Sequence, residues 1–416
     1  MTYDADILIV GGGLNGPALA LALAQGGLTV AVIDARPARL RTQDSFDGRS
    51  YALALASVRV LQALGLWAEP LAGQGTALRD LAQPIHGVRA SQGHAGQGAS
   101  PLFLGFDGAE IEEGVMGQML EDRHLYAAFL AAMQAEPRIT LHSGAKVVGQ
   151  AVDDAAAIVT LEDGTVMRGR VLVGCDGRDS AVARRAGITR WGWSYGQTAL
   201  VCAIDHEKPH NGIAHQFFMP PGPLAILPLP GNRSSIVWSE RDATAQAINA
   251  LDDLAYLDVL RPRFGDFLGE ISLAGGRFSY PLKLTVAHEF VAKRLALVGD
   301  AAHGVHPIAG QGLNLGLRDV ATLAEVLIEA ARRGEDIAAT DVLERYQAWR
   351  RFDVVRLALG MDAVNTLFSN DNPLLEAVRG LGLGAVSALP MLRRMFMREA
   401  AGLNAAEPRL MQGEPI

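Results

Sequence analysis

The sequence predicts an α/β protein in two interleaved domains, one built on a parallel sheet and one on a mixed, largely antiparallel sheet, with a helical region at the C-terminus. Three observations predict it. A strand, a glycine-rich turn, a helix and a second strand follow one another between Asp4 and Asp34. From Gly196 to Ser239 the apolar pattern changes to period two. From Asp341 to Arg398 the spacing is mainly helical.

Asp6–Val10 (Asp-Ile-Leu-Ile-Val) is a short apolar run suited to a strand buried on both faces. Gly11-Gly12-Gly13-Leu14-Asn15-Gly16 follows at once, and Pro17 to Gln25 reads as a helix with proline in its first turn. Gly26-Gly27 ends that helix, and Leu28 to Ile33 is a second strand closed by Asp34. This is the sequence form of a Rossmann-like dinucleotide-binding βαβ unit. Gly11 permits the tight turn, Gly13 lets backbone approach a pyrophosphate, and Gly16 lets helix and strand pack closely. The helix N-terminus offers free N–H groups and partial positive charge to phosphates. Asp34 can accept hydrogen bonds from a ribose, and its charge repels a 2′-phosphate. The motif does not by itself separate FAD from NAD.

At 416 residues the chain exceeds the usual limit of about 250–300 residues for one core. The formal charge of −8 and the lack of a long basic stripe argue against a nucleic-acid partner. Cys175 and Cys202 have no CxxC spacing, so neither a metal site nor a disulfide framework is expected, and a reducing compartment is the default. The first residues lack the basic start of a signal peptide, and no run of 18 apolar residues marks a transmembrane helix.

After Asp34 comes a loop rich in arginine. Tyr51 to Leu64 has helical spacing and ends at Gly65; Arg49, just before it, is a phosphate ligand or a solvated loop arginine with equal warrant from residue type. Leu66 to Gly114 mixes short strand-like runs with Gly, Gln and Ser and leaves the first domain. Gln118 to Ala132 resumes helical character and carries Arg123. Ile139–His142 and Ala145–Val148 are strands, and Glu162-Asp163-Gly164 joins Ala157–Leu161 to Val166–Val173 as a hairpin. The second arm runs into Gly174-Cys175-Asp176-Gly177, either a second crossing over a cofactor or a plain Asp-Gly turn.

Thr198–Ile204, Ile213–Phe218, Leu224–Leu229 and Ser235–Trp238 read as strands; Pro220-Pro221-Gly222-Pro223 and Pro228 suggest edges and turns rather than a central strand. Ala243–Leu260 is helical and Ile271–Pro281 returns to strand. Arg294–Val298 is a buried strand that delivers Gly299-Asp300, and a helix starts near Gly312 and runs to Arg332. The domain assignment is therefore 1–75, 115–180 and 282–345 for the nucleotide domain, 76–114 and 181–281 for the substrate domain, and 346–416 for the helical region.

With these residues in hand, the chain resembles FAD-dependent aromatic hydroxylases of the p-hydroxybenzoate hydroxylase fold, and among them the ubiquinone-biosynthesis hydroxylase family. The resemblance rests on Gly11-x-Gly13-x-x-Gly16 with Asp34, on Asp176-Gly177, on Gly299-Asp300, and on the run from His306 to Asp319 with Gly222 to Leu229. It implies a glutathione-reductase-type FAD domain with an inserted substrate domain. Relatives more often carry Ala at Cys175 and Glu at Asp34.

The resemblance implies a role for each segment. Gly11, Gly13, Leu14, Asn15 and Gly16 would hold the pyrophosphate turn, with Asp34, Ala35 and Arg36 at the ribose. Arg49 and Arg123 are further cofactor candidates. Asp176 and Gly177 would lie where flavin and nicotinamide meet. Gly299 and Asp300 would meet the ribityl chain. Pro307, Gly310, Gln311, Gly312, Leu313 and Asn314 would lead into a helix aimed at the flavin edge that gains negative charge on reduction. His215, Leu227, Pro228 and Pro307 are the substrate-pocket candidates. His303 and His306, three apart with no third ligand nearby, make a poor zinc site; packing and backbone hydrogen bonding are the plainer reading.

The implied reaction is a monooxygenation: NAD(P)H, bound transiently, reduces FAD, and a flavin C4a-hydroperoxide passes one oxygen atom to a polyprenylated phenol or quinone precursor. No catalytic side chain is assigned, because the flavin carries the chemistry. Alternatives are a prenyl reductase, a halogenase, or a flavin-binding assembly or redox protein without turnover. Gly380 to Gly384 follows no strand and reads as helix-joining. Other ubiquinone-biosynthesis proteins are implied partners, and the implied setting is cytoplasmic, at the periphery of the inner membrane. The basic, apolar stretch with Arg393, Arg394 and Arg398 is either a membrane or partner contact or a packed helix with a solvated rim.

Overall fold

A computed structural model describes residues 2–40, 46–70, 75–94, 96, 98–111, 113–305, 311–368, 397–398, 401–403 and 407–416. Its first sheet is built around Ala5–Val10, which pairs in parallel with Val30–Asp34 on one side and Val166–Gly174 on the other. Ile139–Ser143 extends it beyond Val30–Asp34, and Leu295–Leu297 extends it beyond Val166–Gly174. The antiparallel strands Ala157–Leu161 and Val147–Val152 branch from Val166–Gly174. The helix Asn15–Gln25 is apolar all round, and Gly16 to Ala24 are all buried. That fits a helix covered on both sides, here by the sheet and by the helix Gln311–Arg332.

The second sheet runs, in spatial order, His303–Gly304, Ile271–Ala287, Arg190–His206, Arg233–Arg241, Gly222–Leu229, Ile213–Met219, Gly87–His94, Gly98–Asp107. Its pairings are antiparallel except that Ile213–Phe218 lies parallel to Gly87–Gln92. Alternate residues face opposite ways along each strand. Cys202, Ile204, Phe217 and Trp238 pack on Tyr256, Leu260 and Phe264 of the helix Asp253–Phe264. Ala203, Ala214, Leu229 and Ala274 face the other way, toward Ile85 and Met119 of a three-stranded sheet formed by Ser50–Ala54, Gly117–Glu121 and Gln83–Ile85.

Four local expectations change. Ser50–Ala54 is a strand, and only Leu55–Ala63 is helical. Gly117–Glu121 is likewise a strand before the helix Asp122–Ala135. The two strands pair with each other from Ser50↔Glu121 to Ala54↔Gly117, a long-range contact that outweighs local apolar spacing. Ala243–Leu260 is two helices, Asp242–Asn249 and Asp253–Phe264, because Asp252 caps the second by accepting from Ala255 N at 2.9 Å. Pro223 and Pro228 lie inside Gly222–Leu229, an internal strand. Each sits where one neighbour has ended: Pro223 pairs only with Phe218, and Pro228 only with Ser234. The missing N–H therefore breaks no ladder bond. The stretch around Gly380 and the residues Arg393 and Arg394 lie outside the described residues. Among the described residues no helix is long and apolar enough to cross a membrane.

Candidate functional site

A cleft of about 760 Å³ opens at the carboxyl ends of the parallel strands, where Val10, Ile33, Cys175 and Val298 mark the strand ends. Ligands of open α/β sheets bind in such a crevice. Gly11 (φ +114°) makes the turn out of the first strand, and a Cβ there would run into the Cys175 carbonyl oxygen. A Cβ at Gly16 would strike the Gly11 carbonyl oxygen. A Cβ at Gly13 or Gly312 would meet no atom within 4 Å, and both residues line the cleft. Gly13 and Gly312 thus leave room for a ligand, whereas Gly11 and Gly16 are required by the protein's own packing.

Asp34 is 9% exposed and lines the cleft. Its carboxylate accepts from Gly12 N at 3.0 Å and from Arg36 N at 2.8 Å, so the glycine turn and the second strand are tied through one side chain. Asn15 is wedged between Gly299 and Gly316, and among the described residues its buried Oδ1 has no partner. A buried orphan acceptor beside the turn suits a ligand rich in hydroxyls. Leu14, Ala35 and Arg36 line the same end of the cleft with Lys146, Arg184 and Arg185. Arg185 is anchored by donating to the Val147 carbonyl at 2.9 Å.

The Asp176-Gly177 loop forms the next wall. The Asp176 carboxylate accepts from Ser180 Oγ (2.5 Å), Ala181 N (2.7 Å) and Val182 N (3.0 Å), which fixes the loop to the short helix behind it. Arg178 Nε donates to Asp300 Oδ2 at 3.0 Å and joins this loop to the one that follows the last parallel strand. Arg190 braces the pair from behind: it donates to the Arg178 carbonyl at 2.6 Å and to the Ala301 carbonyl. Arg49 lines the cleft, held by Asp47 at 2.6 Å and Asp122 at 3.5 Å, with its guanidinium 5.8 Å from the centre of the Phe278 ring on the second sheet.

At the far end Gly312 and Leu313 open the 22-residue helix Gln311–Arg332. The first N–H groups of a helix have no partner within it, and its N-terminus carries positive potential. Pro307, Gly310 and His306 lie outside the described residues.

The cofactor candidates Gly16, Arg123, Gly299 and Asn314 do not line the cleft, and the side chain of Gln311 lies outside the described residues. Arg123 pairs with Glu121 at 2.6 Å. Asn314 is buried: its Oδ1 accepts from Ala54 N (2.8 Å) and Ser57 Oγ (2.7 Å), and its Nδ2 donates to the Ala52 carbonyl (2.9 Å). It stitches the long helix to Ser50–Ala54 and Leu55–Ala63. His303 is also buried, and its partner is the Asp319 carboxylate at 2.6 Å rather than the backbone. Among the described residues no cluster of three or more His, Cys, Asp and Glu is placed to hold a metal.

Of the substrate-pocket candidates, His215 is on the sheet face that packs on helices, 4.6 Å from the Phe267 ring and 5.8 Å from the Phe217 ring. Burial, with a smaller contribution from the charge of Arg89, lowers its pKa to about 4. Leu227 is on the opposite face with Ala203, Ala214 and Ala52. The Ala52 carbonyl is also the acceptor for Asn314, so that face adjoins the start of the long helix. Pro228 is buried. Sequence reasoning missed Lys146, Arg178 and Arg185 as cleft residues. Lys146 and Arg185 come from different elements, the loop before Val147–Val152 and the helix Ala181–Arg185, and carry no local signal, whereas Arg178 directly follows the Asp176-Gly177 motif.

The cleft thus offers a long ligand a glycine turn with open space, an acidic ribose-type acceptor, a second acid 266 residues later, and a helix N-terminus. A model of the FAD binding domain matches residues 4–358. The chain is 46% identical to "Ubiquinone hydroxylase UbiL" of Rhodospirillum rubrum, over 99% of this chain and 94% of that protein. It is 36% identical to "3-demethoxyubiquinol 3-hydroxylase" of Escherichia coli, over 96% and 98% of the two chains. Among solved structures, p-nitrophenol 4-monooxygenase PnpA of Pseudomonas putida superposes with a TM-score of 0.77 at 20% identity, over 96% of this chain and 99% of that one, a likeness of fold.

Proposed function

The chain belongs to the FAD-dependent aromatic hydroxylases of ubiquinone biosynthesis, and from that premise we propose that it hydroxylates the ring of a polyprenylated phenol or quinone precursor with NAD(P)H and O₂. The observation that carries the reading is full-length similarity to two ubiquinone hydroxylases together with a cleft whose open glycines, orphan acceptor and paired acids suit an extended dinucleotide. Bound FAD supplies hydride acceptance and oxygen activation, chemistry that no side chain can provide.

The protein's own residues bind, orient and exclude water. Gly13 and the N-terminus of Asn15–Gln25 take the pyrophosphate, and Asp34 takes the ribose. Asp300, which pairs with Arg178, would accept from the ribityl hydroxyls. The N-terminus of Gln311–Arg332 would lie at the ring system and offer it positive potential. Leu227, half-buried beside the packed cluster of Ala203, Ala214 and Ala274, offers an apolar contact to an aromatic ring. NAD(P)H binds transiently, since only the first βαβ unit carries the complete glycine motif.

The test is steady-state oxidation of NADH and NADPH by FAD-loaded protein, with and without a prenylated phenol. The reading expects substrate to stimulate oxidation at least tenfold and the product to gain one oxygen atom. A product with a reduced alkene would favour the prenyl-reductase chemistry, and no turnover at all would favour a redox or assembly role.

We place the reaction at the cytoplasmic face of the inner membrane, where a polyprenylated ring resides. Flotation with anionic liposomes tests this, and reversal of Arg393 and Arg394 to Glu is a better control than truncation. Truncation removes Met397, Ala401, Leu410 and Met411, all of which are buried.

A further inference from the structure

Behind the cleft runs a chain of buried charges that the cofactor assignment above does not use. The Asp319 carboxylate is fully buried. Its Oδ2 accepts from Gly299 N at 2.8 Å and from His303 Nε2 at 2.6 Å. Both ends of the turn that carries Asp300 therefore hang on one oxygen. The other oxygen accepts from Arg350 Nε at 2.7 Å.

Arg350, 2% exposed, comes from a different element, the helix Thr340–Phe368. Its Nη1 donates to Asp353 at 2.6 Å, and the same Asp353 oxygen accepts from Arg318 at 2.8 Å. Arg318 reaches Glu407 at 3.4 Å. One helical turn before Arg350, Tyr346 donates to the Leu297 carbonyl at 2.7 Å, and Gln347 accepts from Phe290 N at 2.6 Å. The helix thus grips the last parallel strand and, through Asp319, the turn beyond it.

We propose that Arg350 is a positioning residue for FAD: by neutralising Asp319 it keeps the Gly299–His303 turn, and with it Asp300, in place for the ribityl chain. The proposal rests on the FAD reading above. A buried ion pair is by itself weak evidence for stability, because desolvation offsets its attraction. Removing one partner, however, leaves the other buried and uncompensated. Asp319 would then seek water or another donor, and the turn that it holds would move. Removing both charges leaves no such drive.

The experiment is titration of full-length apoprotein with FAD at 25 °C, with melting followed by circular dichroism. It uses wild type, Arg350→Met, Arg350→Lys and the double variant Asp319→Asn/Arg350→Met. We expect Arg350→Met to weaken FAD binding at least tenfold at a temperature where the variant remains folded, and to blur the structured visible bands of the bound flavin. The double variant is expected to recover to within threefold of wild type, a rescue that a purely mechanical brace would not give. If Arg350→Met does not fold, Arg350→Lys decides: it keeps the charge but cannot span both Asp319 and Asp353, and a three- to tenfold loss is expected. A folded single variant that melts lower but binds FAD within twofold of wild type overturns the proposal. Wild-type protein that takes up no FAD would instead overturn the FAD reading on which it rests.

Discussion

Gly13 and Gly16 stand three residues apart in one motif and are glycine for different reasons. A side chain at Gly16 would collide with the Gly11 carbonyl, whereas one at Gly13 would enter empty cleft. Gly16→Val is expected to destabilise the fold by about 3 kcal/mol or more, as overpacking against backbone does. Gly13→Val should leave melting within about 1 kcal/mol of wild type and still weaken FAD binding at least 100-fold. Denaturant melts and FAD titration of the two variants would separate the roles. His215 gives a second test. Its imidazole, ordinarily near 6.5, is lowered to about 4 by burial and by the charge of Arg89. Above pH 6.5 both folded and unfolded chains carry it neutral. Between 6.5 and 4 the unfolded chain takes up a proton that the folded chain refuses, so stability falls through that window and levels off below it. His215→Phe should flatten this part of the stability–pH curve while leaving FAD binding at pH 7.5 unchanged. The placement of His215 was not legible in the sequence. Period two puts it on one face of its strand, but only the partner helix shows which face meets the flavin side.

Elements were legible where local pattern and long-range pairing agree. The strand Ala5–Val10, the helix Asn15–Gln25 and the strand Val30–Asp34 lie within a residue or two of the positions read from apolar runs and glycines. Tyr51–Ala54 and Gln118–Glu121 fit a helical reading because four residues of mixed apolar spacing suit either period, and only the mutual pairing of their strands decides. The prolines of Gly222–Leu229 misled for a related reason: the edge is local, set where each neighbouring strand ends. Asn314 shows how an element is held once formed. Its side chain satisfies Ala54 N, Ser57 Oγ and the Ala52 carbonyl, all at the seam between the long helix and the strand Ser50–Ala54. Asn314→Leu removes every one of these partners in a buried setting. A loss of about 3 kcal/mol is expected from denaturant melts, since each orphaned buried group costs about 1–3 kcal/mol and some relax to water. A loss under about 1 kcal/mol would mean that the seam is held by packing alone.

At the scale of the whole molecule, the cleft draws on residues 10–15, 33–36, 49, 51, 145–147, 175–179, 181, 184–185, 298, 300 and 312–313, brought together because parallel strands place their carboxyl ends at one edge. That convergence explains why the three motifs carrying the family resemblance were readable long before any contact between them was. The charge chain from Gly299 to Glu407 was not readable. Asp319 lies inside a recognisable motif, but Arg350 is one arginine among several on a helix, and nothing in its neighbours marks it as the partner of a carboxylate 31 residues earlier. The second sheet packs an apolar face against the three-stranded sheet, and the first contributes a cleft of about 760 Å³ suited to an oxygen-activating cofactor. The central claim is that this combination places an atom of molecular oxygen on an aromatic ring. It is tested most directly by running the NAD(P)H-dependent reaction of FAD-loaded protein with a prenylated phenol under ¹⁸O₂ and weighing the product. The account predicts one ¹⁸O atom per ring hydroxylated, with none of the new oxygen drawn from solvent. A product without the label, or one that has gained hydrogen instead of oxygen, would contradict it.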